Sequence, residues 1–385
     1  MDEQIHNLIL AGEITALTID TSVFNKLGLK LESGLLAQLG QFREGEFELV
    51  IANTVANEVK RHLADHATAA TKALRNALEL TAKHQALNPA HQAELTGLSK
   101  LAAADDHVRA HKRFDDWAER AGAEVIHEND FASIGEVMRR YEAGEPPFAE
   151  TGDKKQEFPD AVALSTLEGW AEENDTRILA VAQDNDWKRY GAQSKRLVVV
   201  DDLADALSTI QGLGEARVPA VRLAKQFVAG DELGLQAAVL DAVRRQVDKF
   251  EFSVEADSQF AVEEEGVEAT VDDISLDIPD ATGATLDTIS HEDGEAVVKL
   301  SGTASLSVDV QFSFDKFDSV DRDYVGMGTA TIPEDVEIDF EVLVTVLIDG
   351  DGLTLDEVEL LPATHHLEFN DIVPDWMNDP DNFDH

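Results

Sequence analysis

The sequence contains no cysteine, and it is short of cations, aromatic residues and long apolar runs. Without cysteine there is no disulfide and no thiolate ligand, so any bound metal must be held by oxygen or imidazole. That ligand set favours Mg²⁺, Mn²⁺ or Ca²⁺. No apolar run approaches the roughly 18 to 20 residues that span a bilayer, so we expect no membrane association. Asp2 and Glu3 stand where a secretory signal has a basic start, and we therefore expect a cytoplasmic protein.

The deficit of cations is large and uneven. The chain holds 31 Lys plus Arg against 77 Asp plus Glu, a net charge of −46. Residues 1–210 hold 36 acids and 22 cations, whereas residues 211–385 hold 41 acids and 9 cations. Such a field repels nucleic acids and anionic membranes at long range, unless a locally basic cleft or a metal ion intervenes. Adaptation to high salt and binding of a basic partner are two further explanations of the charge.

The first half of the chain alternates short apolar runs with helical patterns. The runs predict strands at 14–19, 47–51, 123–126, 178–182 and 197–200. Strands separated by helices of ten or more residues pair in parallel through right-handed crossovers. The pattern predicts an α/β domain over residues 1–210, a doubly wound parallel sheet with a helical insertion at about 60–121.

The second half changes to a period of two. After a helical connector at 211–250, the runs at 303–314 and 336–348 alternate apolar and polar residues, and turn signals separate them. Residues 251–385 are therefore predicted to form an acidic, mainly antiparallel β domain with one solvated face. Asp349-Gly-Asp-Gly352 lacks the order of acids of a calcium loop and is interpreted as a hairpin turn.

Four acids fall at or near the carboxyl ends of the predicted parallel strands, where ligands bind in open α/β sheets. They are Asp20, Glu58, Asp160 and Asp184. Each alone has an ordinary structural explanation, such as a helix cap, an exposed helix position or a turn. Four carboxylates at one sheet edge, however, repel one another unless they are protonated or neutralised by a cation.

With oxygen ligands only, the natural cation is Mg²⁺ or Mn²⁺, and such sites hydrolyse phosphodiesters by activating water and stabilising the leaving oxygen. Other phosphate-site patterns do not fit. A haloacid-dehalogenase-type phosphatase needs a second acid where Ser22 stands, and an adhesion-type metal site needs Ser where Phe24 stands. No G-x-x-x-x-G-K-[ST] phosphate loop occurs.

The segments "ALTIDTSVF", "NEVKRHL", "EFPDAVALSTL" and "ILAVAQDNDW" resemble, in order, the four acidic motifs of the PIN domain, over about residues 14–205. The resemblance implies a metal-dependent nuclease. Members of that family are mostly endoribonucleases that act on single strands, and they often form dimers. The resemblance also implies that Asp20, Glu58, Asp160 and Asp184 bind metal, with Asp186 as the second acid of a D-x-D ending. Thr21 or Ser22 stands at the family's hydroxyl position. Gln183 and Trp187 depart from the commonest residues without removing an acid.

Basic residues near these motifs are weaker candidates for substrate contacts: Lys154, Lys155, Lys60, Arg61, His62, Lys188 and Arg189. The pairs His62/His66 and His107/His111, the latter with Asp115, have helical spacing but are better explained as solvated faces.

We therefore expect a Mg²⁺- or Mn²⁺-dependent endoribonuclease acting on single-stranded RNA. The alternative is a non-catalytic protein that binds metal or RNA, with an acidic β domain that binds a basic partner.

Overall fold

A computed structural model of the chain divides into two compact units, Met1–Ile210 and Gln211–His385. The structure describes residues 3–43, 45, 47–86, 88–102, 106–148, 157–211, 218–283, 285–292, 294–318, 323–350 and 352–378. Within these ranges no helix has the length and apolar content needed to cross a membrane.

The first unit alternates strands with helices. Its strands are β1 (Ile14–Ile19), β2 (Glu48–Ala52), β3 (Glu124–Ile126), β4 (Arg177–Val181) and β5 (Leu197–Val200). Its helices are α1 (Glu3–Leu10), α2 (Thr21–Lys26), α3 (Gly34–Gln38), α4 (Asn53–Lys83), α5 (Pro89–Ala102), α6 (Asp106–Ala121), α7 (Glu128–Phe131), α8 (Ile134–Ala143), α9 (Phe158–Glu173), α10 (Asn185–Gly191) and α11 (Leu203–Gln211). A 3₁₀ turn at Leu39–Phe42 leads into β2.

The five strands form one parallel sheet in the order β3-β2-β1-β4-β5. Nearly every residue of β1 and β4 is buried, as expected for central strands covered on both faces. The predicted doubly wound α/β fold is confirmed. The chain leaves β1 towards β2 and leaves β4 towards β5, so the connections diverge between β1 and β4. Such a switch point opens a crevice at the carboxyl ends of the two strands.

The helical insertion packs on the elements beside that crevice. Phe24 of α2 lies 5.2 Å, between ring centroids, from Trp117 of α6 in an edge-on contact and 6.4 Å from Phe114. All three rings are fully buried. The indole of Trp117 also donates a hydrogen bond to the Leu36 carbonyl at 2.9 Å. This aromatic cluster joins α6 to the segment that follows β1.

The second unit begins with α12 (Val218–Val228) and α13 (Leu235–Arg245), followed by a 3₁₀ turn at Val247–Lys249. Its strands are β6 (Phe250–Ala256), β7 (Ala261–Leu276), β8 (Asp287–Glu292), β9 (Glu295–Asp318), β10 (Asp323–Asp349), β11 (Gly352–Leu360) and β12 (Ala363–Phe369), with α14 (Asp375–Asn378) after them. The predicted antiparallel sheet is confirmed in the order β11-β10-β9-β7, with β8 also on β9. β6 and β12 pair in parallel instead, as a separate two-stranded sheet.

Burial in this unit follows the predicted alternation. In β9, Val308 and Val310 are buried, whereas Ser307 and Asp309, which alternate with them, are exposed. The buried face packs with Leu223 and Val239 of the two helices in one apolar core. Helices α12 and α13, expected from the sequence as a connector, thus contribute to the core of the second unit.

Candidate active site

Asp20 stands at the carboxyl end of β1 and caps α2. Its side chain accepts a hydrogen bond from the Ser22 amide at 3.1 Å and a short one from the Ser22 hydroxyl. The side chain is only 5% exposed. Burial raises the pKa of the Asp20 carboxyl; the Ser22 hydrogen bonds oppose the rise, and the charge of Asp184 adds to it.

Ser22 also ties the ends of β1 and β4 together. Its hydroxyl accepts a hydrogen bond from the Gln183 amide at 3.2 Å, while the Asp20 amide donates to the Val181 carbonyl at 2.9 Å. The loops that carry Asp20 and Asp184 are therefore held side by side at the switch point. Ser22 orients the Asp20 carboxylate rather than standing free to contact a ligand.

Glu58 approaches the same edge from α4. Its Oε2 accepts a hydrogen bond from the Thr21 hydroxyl at 3.0 Å, and its Oε1 forms an ion pair with Arg61 at 3.0 Å. Both hydroxyls at the family position are thus engaged with acids of the site: Thr21 with Glu58 and Ser22 with Asp20.

Asp160 lies in the first turn of α9, where Pro159 opens the helix. The buried indole of Trp187 donates a hydrogen bond to its Oδ1 at 3.3 Å. Burial raises the pKa of Asp160 to about 7; the Trp187 hydrogen bond opposes this rise, and the negative charges of Asp20, Asp184 and Glu58 add to it. The charges of the other three acids act on Asp160, which indicates that the four carboxylates lie near one another.

Asp184 is the third residue after the end of β4 and caps α10, where its side chain accepts a hydrogen bond from the Asp186 amide at 2.7 Å. Its side chain is otherwise exposed at the crevice. Asp186 is engaged differently. It forms a close ion pair with Arg189, whose guanidinium also donates to the Pro147 carbonyl at 3.2 Å. Asp186 therefore anchors the start of α10.

No three of the four carboxylates have ligand atoms that all lie within 4.8 Å of one another. Across the described part of the chain, Glu255, His366 and Glu368 of the second unit form the one group of three acids or histidines whose ligand atoms all lie within 4.8 Å. The N-terminal acids nonetheless fit a divalent cation in two respects. They offer oxygen ligands only, and their negative charges add to the effect of burial in raising the pKa of Asp160, so a bound cation would stabilise its carboxylate.

The weaker candidates for substrate or metal contacts differ in where they lie. Lys154 and Lys155 lie outside the described residues. Lys60 turns towards the helical insertion, with its Nζ 2.7 Å from Asp115 and 5.1 Å from the centroid of the Phe114 ring. His62 meets the side chain of Asn25 at 2.9 Å. The histidine pairs of α4 and α6 do not belong to the three-residue group within 4.8 Å just described.

Two contributors to the site were missed from the sequence alone. Trp187 was noted only as a departure from the commonest aromatic, although its indole holds Asp160. Asp201 and Asp202 follow β5 in the same way that Asp20 follows β1, and they pair with Lys188 at 3.2 Å and Lys26 at 3.7 Å. The sequence contains a signal for each. Trp187 is an aromatic residue one helical turn from an acid, and Asp201 and Asp202 come directly after an apolar strand.

Comparison with known families now bears on this arrangement. The family model described as PIN domain matches residues 17–187, a span that contains all four acids. The N-terminal unit is a PIN domain. Members of this family are typically nucleases and generally use divalent metal ions, so the family indicates a nucleic acid as the class of substrate.

Two further comparisons add no functional information about the PIN domain or the second unit. No curated protein matches the chain significantly. Among solved structures, the intermembrane space region of the chloroplast protein ARC6 is similar at 15% identity over 40% of this chain and 97% of that chain, with a TM-score of 0.12. A likeness at that TM-score carries no argument about fold or activity.

Proposed function

We propose that the PIN domain is a metal-dependent endonuclease, and specifically an endoribonuclease that hydrolyses phosphodiester bonds of single-stranded RNA with Mg²⁺ or Mn²⁺. The observation that carries the proposal is the environment of Asp160: burial raises the pKa of its carboxyl to about 7, and the negative charges of Asp20, Asp184 and Glu58 add to that rise. Acids from four separate segments converge at the switch point of a parallel sheet, the place where such folds bind ligands. A site with that excess of negative charge calls for a cation.

Asp20, Asp160 and Asp184 are assigned as metal ligands, and Glu58 completes the set directly or through water. Such a cation, when bound, activates a water molecule and neutralises the oxygen that leaves. The remaining residues position the ligands. Ser22 orients Asp20, Trp187 fixes one oxygen of Asp160, and Asp186 supports the loop through Arg189.

The test is cleavage of labelled single-stranded RNA and DNA of the same sequence in the presence of Mg²⁺, Mn²⁺ or chelator. Asp20→Asn keeps an oxygen that accepts the Ser22 hydrogen bonds but removes the charge, and we expect it to abolish cleavage without unfolding the chain. Asp65→Asn, on the exposed side of α4, is the matched control and should cleave as the parent does. Full activity of purified, folded Asp20→Asn, or cleavage unaffected by chelator, would contradict the proposal.

A second candidate function follows from two observations. No three of the four candidate carboxylates of the N-terminal unit have ligand atoms that all lie within 4.8 Å of one another, and residues 211–385 carry 41 acids against 9 cations. On this view the PIN domain binds metal or RNA without cleaving it, and the acidic β domain binds a basic protein. Binding of RNA or Mn²⁺ with no turnover under any of the conditions above would favour it. The homodimer suggested by the family is tested separately, by the mass in solution.

A further inference from the structure

A groove that carries three cations lies beside the outer strand of the PIN-domain sheet. β5 is the edge strand, and the groove next to it has a volume of about 560 Å³. Its lining includes Arg177, Lys188 and Lys195, and none of the described residues that line it is acidic. In a unit with 36 acids and 22 cations, a lining that includes three cations and no acid favours an anionic ligand.

The cations of the groove are available to a ligand. Lys195 is exposed, and within the described ranges no hydrogen bond or ion pair engages it. Lys188 meets Asp201 at 3.2 Å and Arg177 meets Glu13 at 3.6 Å. Both are partly exposed pairs, and pairs of that kind exchange at little cost for a phosphate.

The groove extends from α10 towards the amino ends of β4 and β5. Helix α10 starts directly after Asp184, and Lys188 lies one turn further along it. From there the groove follows β5, whose four residues span about 10 Å, towards Arg177 at the opposite edge of the sheet. Gly191 keeps the helix close to the strand, because a Cβ at this position would lie 2.4 Å from Cγ2 of Val199.

We propose that this groove, defined by Arg177, Lys188 and Lys195, binds the phosphate backbone of single-stranded nucleic acid on one side of the cleavage point. For the nuclease this role rests on the proposed function. Binding of this kind depends on charge and is independent of sequence, since cations on an open surface contact phosphates and not base edges. A peptide strand added to the free edge of β5 is the competing occupant, and its affinity would depend little on Lys195 or on salt.

The experiment measures binding of a fluorescein-labelled, single-stranded 20-mer RNA to the full chain carrying Asp20→Asn, in chelator, over a series of salt concentrations. Lys195→Glu in this background should weaken binding about threefold to tenfold. It should also reduce the slope of log affinity against log salt by about 0.7, the value for one phosphate contact on a single strand. Lys195→Arg should bind as the parent does. Lys72→Glu, an equal charge reversal on the exposed face of α4, is the matched control and should change neither quantity.

Equal affinity of Lys195→Glu and the parent, an effect no larger than that of Lys72→Glu, or no measurable RNA binding at all would overturn the groove proposal. With Asp20 intact, Lys195→Glu should raise KM for the 20-mer and leave kcat unchanged. The two proposals fail separately. If Lys195→Glu weakens binding but the parent does not cleave RNA, the groove proposal stands and the nuclease proposal is wrong. If the parent cleaves RNA but Lys195→Glu binds it as the parent does, the nuclease proposal stands and the groove proposal is wrong.

Discussion

Asp160 makes the metal-free PIN domain less stable at neutral pH than at acid pH, and its replacement by Asn should reveal how much. The pKa of its carboxyl rises from 3.8 to about 7 in the folded domain. Between those two values the folded state binds a proton that the unfolded chain does not, so the free energy of unfolding falls as pH rises from about 4 to about 7. Below the lower value both states are protonated, and the effect is absent.

The size of the effect follows from the pKa values. Each pH unit between the folded and unfolded values corresponds to about 1.4 kcal/mol, so the rise to about 7 corresponds to about 4 kcal/mol. Neighbouring acids share the proton, which lowers the gain from removing one charge. We therefore expect Asp160→Asn to raise the free energy of unfolding by about 2 to 4 kcal/mol at pH 8 and by much less at pH 4. The amide keeps an oxygen for the Trp187 indole.

Urea unfolding in chelator, followed by tryptophan fluorescence, measures this difference. Three of the four tryptophans, Trp117, Trp170 and Trp187, are buried in the first unit, so the signal reports mainly on the PIN domain. Asp65→Asn controls for the general effect of one charge fewer on a strongly acidic chain. If Asp160→Asn is no more stable than this control at pH 8, or if its advantage is equally large at pH 4, the assignment of a raised pKa to Asp160 is wrong.

Two other predictions concern packing and proton affinity. Gly169→Ala should lower the free energy of unfolding by about 1 to 3 kcal/mol, because its Cβ would lie 2.1 Å from the Phe131 carbonyl oxygen. Gly135→Ala, where nothing lies within 4 Å, should instead raise it by about 0.5 kcal/mol; equal effects in urea unfolding would contradict the packing. Trp187→Phe removes the hydrogen bond that lowers the pKa of Asp160, so the acid limb of the cleavage pH profile should move to higher pH. An unmoved limb in a folded, active variant would separate Asp160 from the reaction.

The sequence predicts which acids lie at the carboxyl edge of the sheet, because strand ends can be identified from apolar runs. β1 and β4 are short and apolar, Asp20 follows β1 directly, Asp184 comes three residues after the end of β4, and parallel strands end at a common edge. The neighbours of those acids were not predictable in the same way. The hydrogen bond from Trp187 to Asp160 and the ion pair of Arg61 with Glu58 depend on how α9, α10 and α4 are rotated against the sheet. The spacing of residues in the sequence does not determine that rotation.

In the second unit the alternation of β9 and β10 predicted the antiparallel sheet. The parallel pair of β6 and β12 could not be inferred, because more than a hundred residues separate the two strands and no turn signal links them. The positions of α12 and α13 depend equally on non-local packing, since Leu223 and Val239 are as compatible with a connector as with the core they join.

The aromatic cluster of Phe24, Phe114 and Trp117 bears on how the PIN domain can be shortened. Phe24 belongs to the helix that Asp20 caps, so the far side of that helix is covered by the insertion and not by the sheet alone. Deleting α6 would expose a phenylalanine next to the candidate active site and loosen the support of Asp20. A break in α5, which contributes no ring to the cluster, leaves that support intact. The two helices of the insertion therefore differ in how well they tolerate changes to the chain. A tag, a cleavage site or a fused domain should be placed in the α5 region and not in α6.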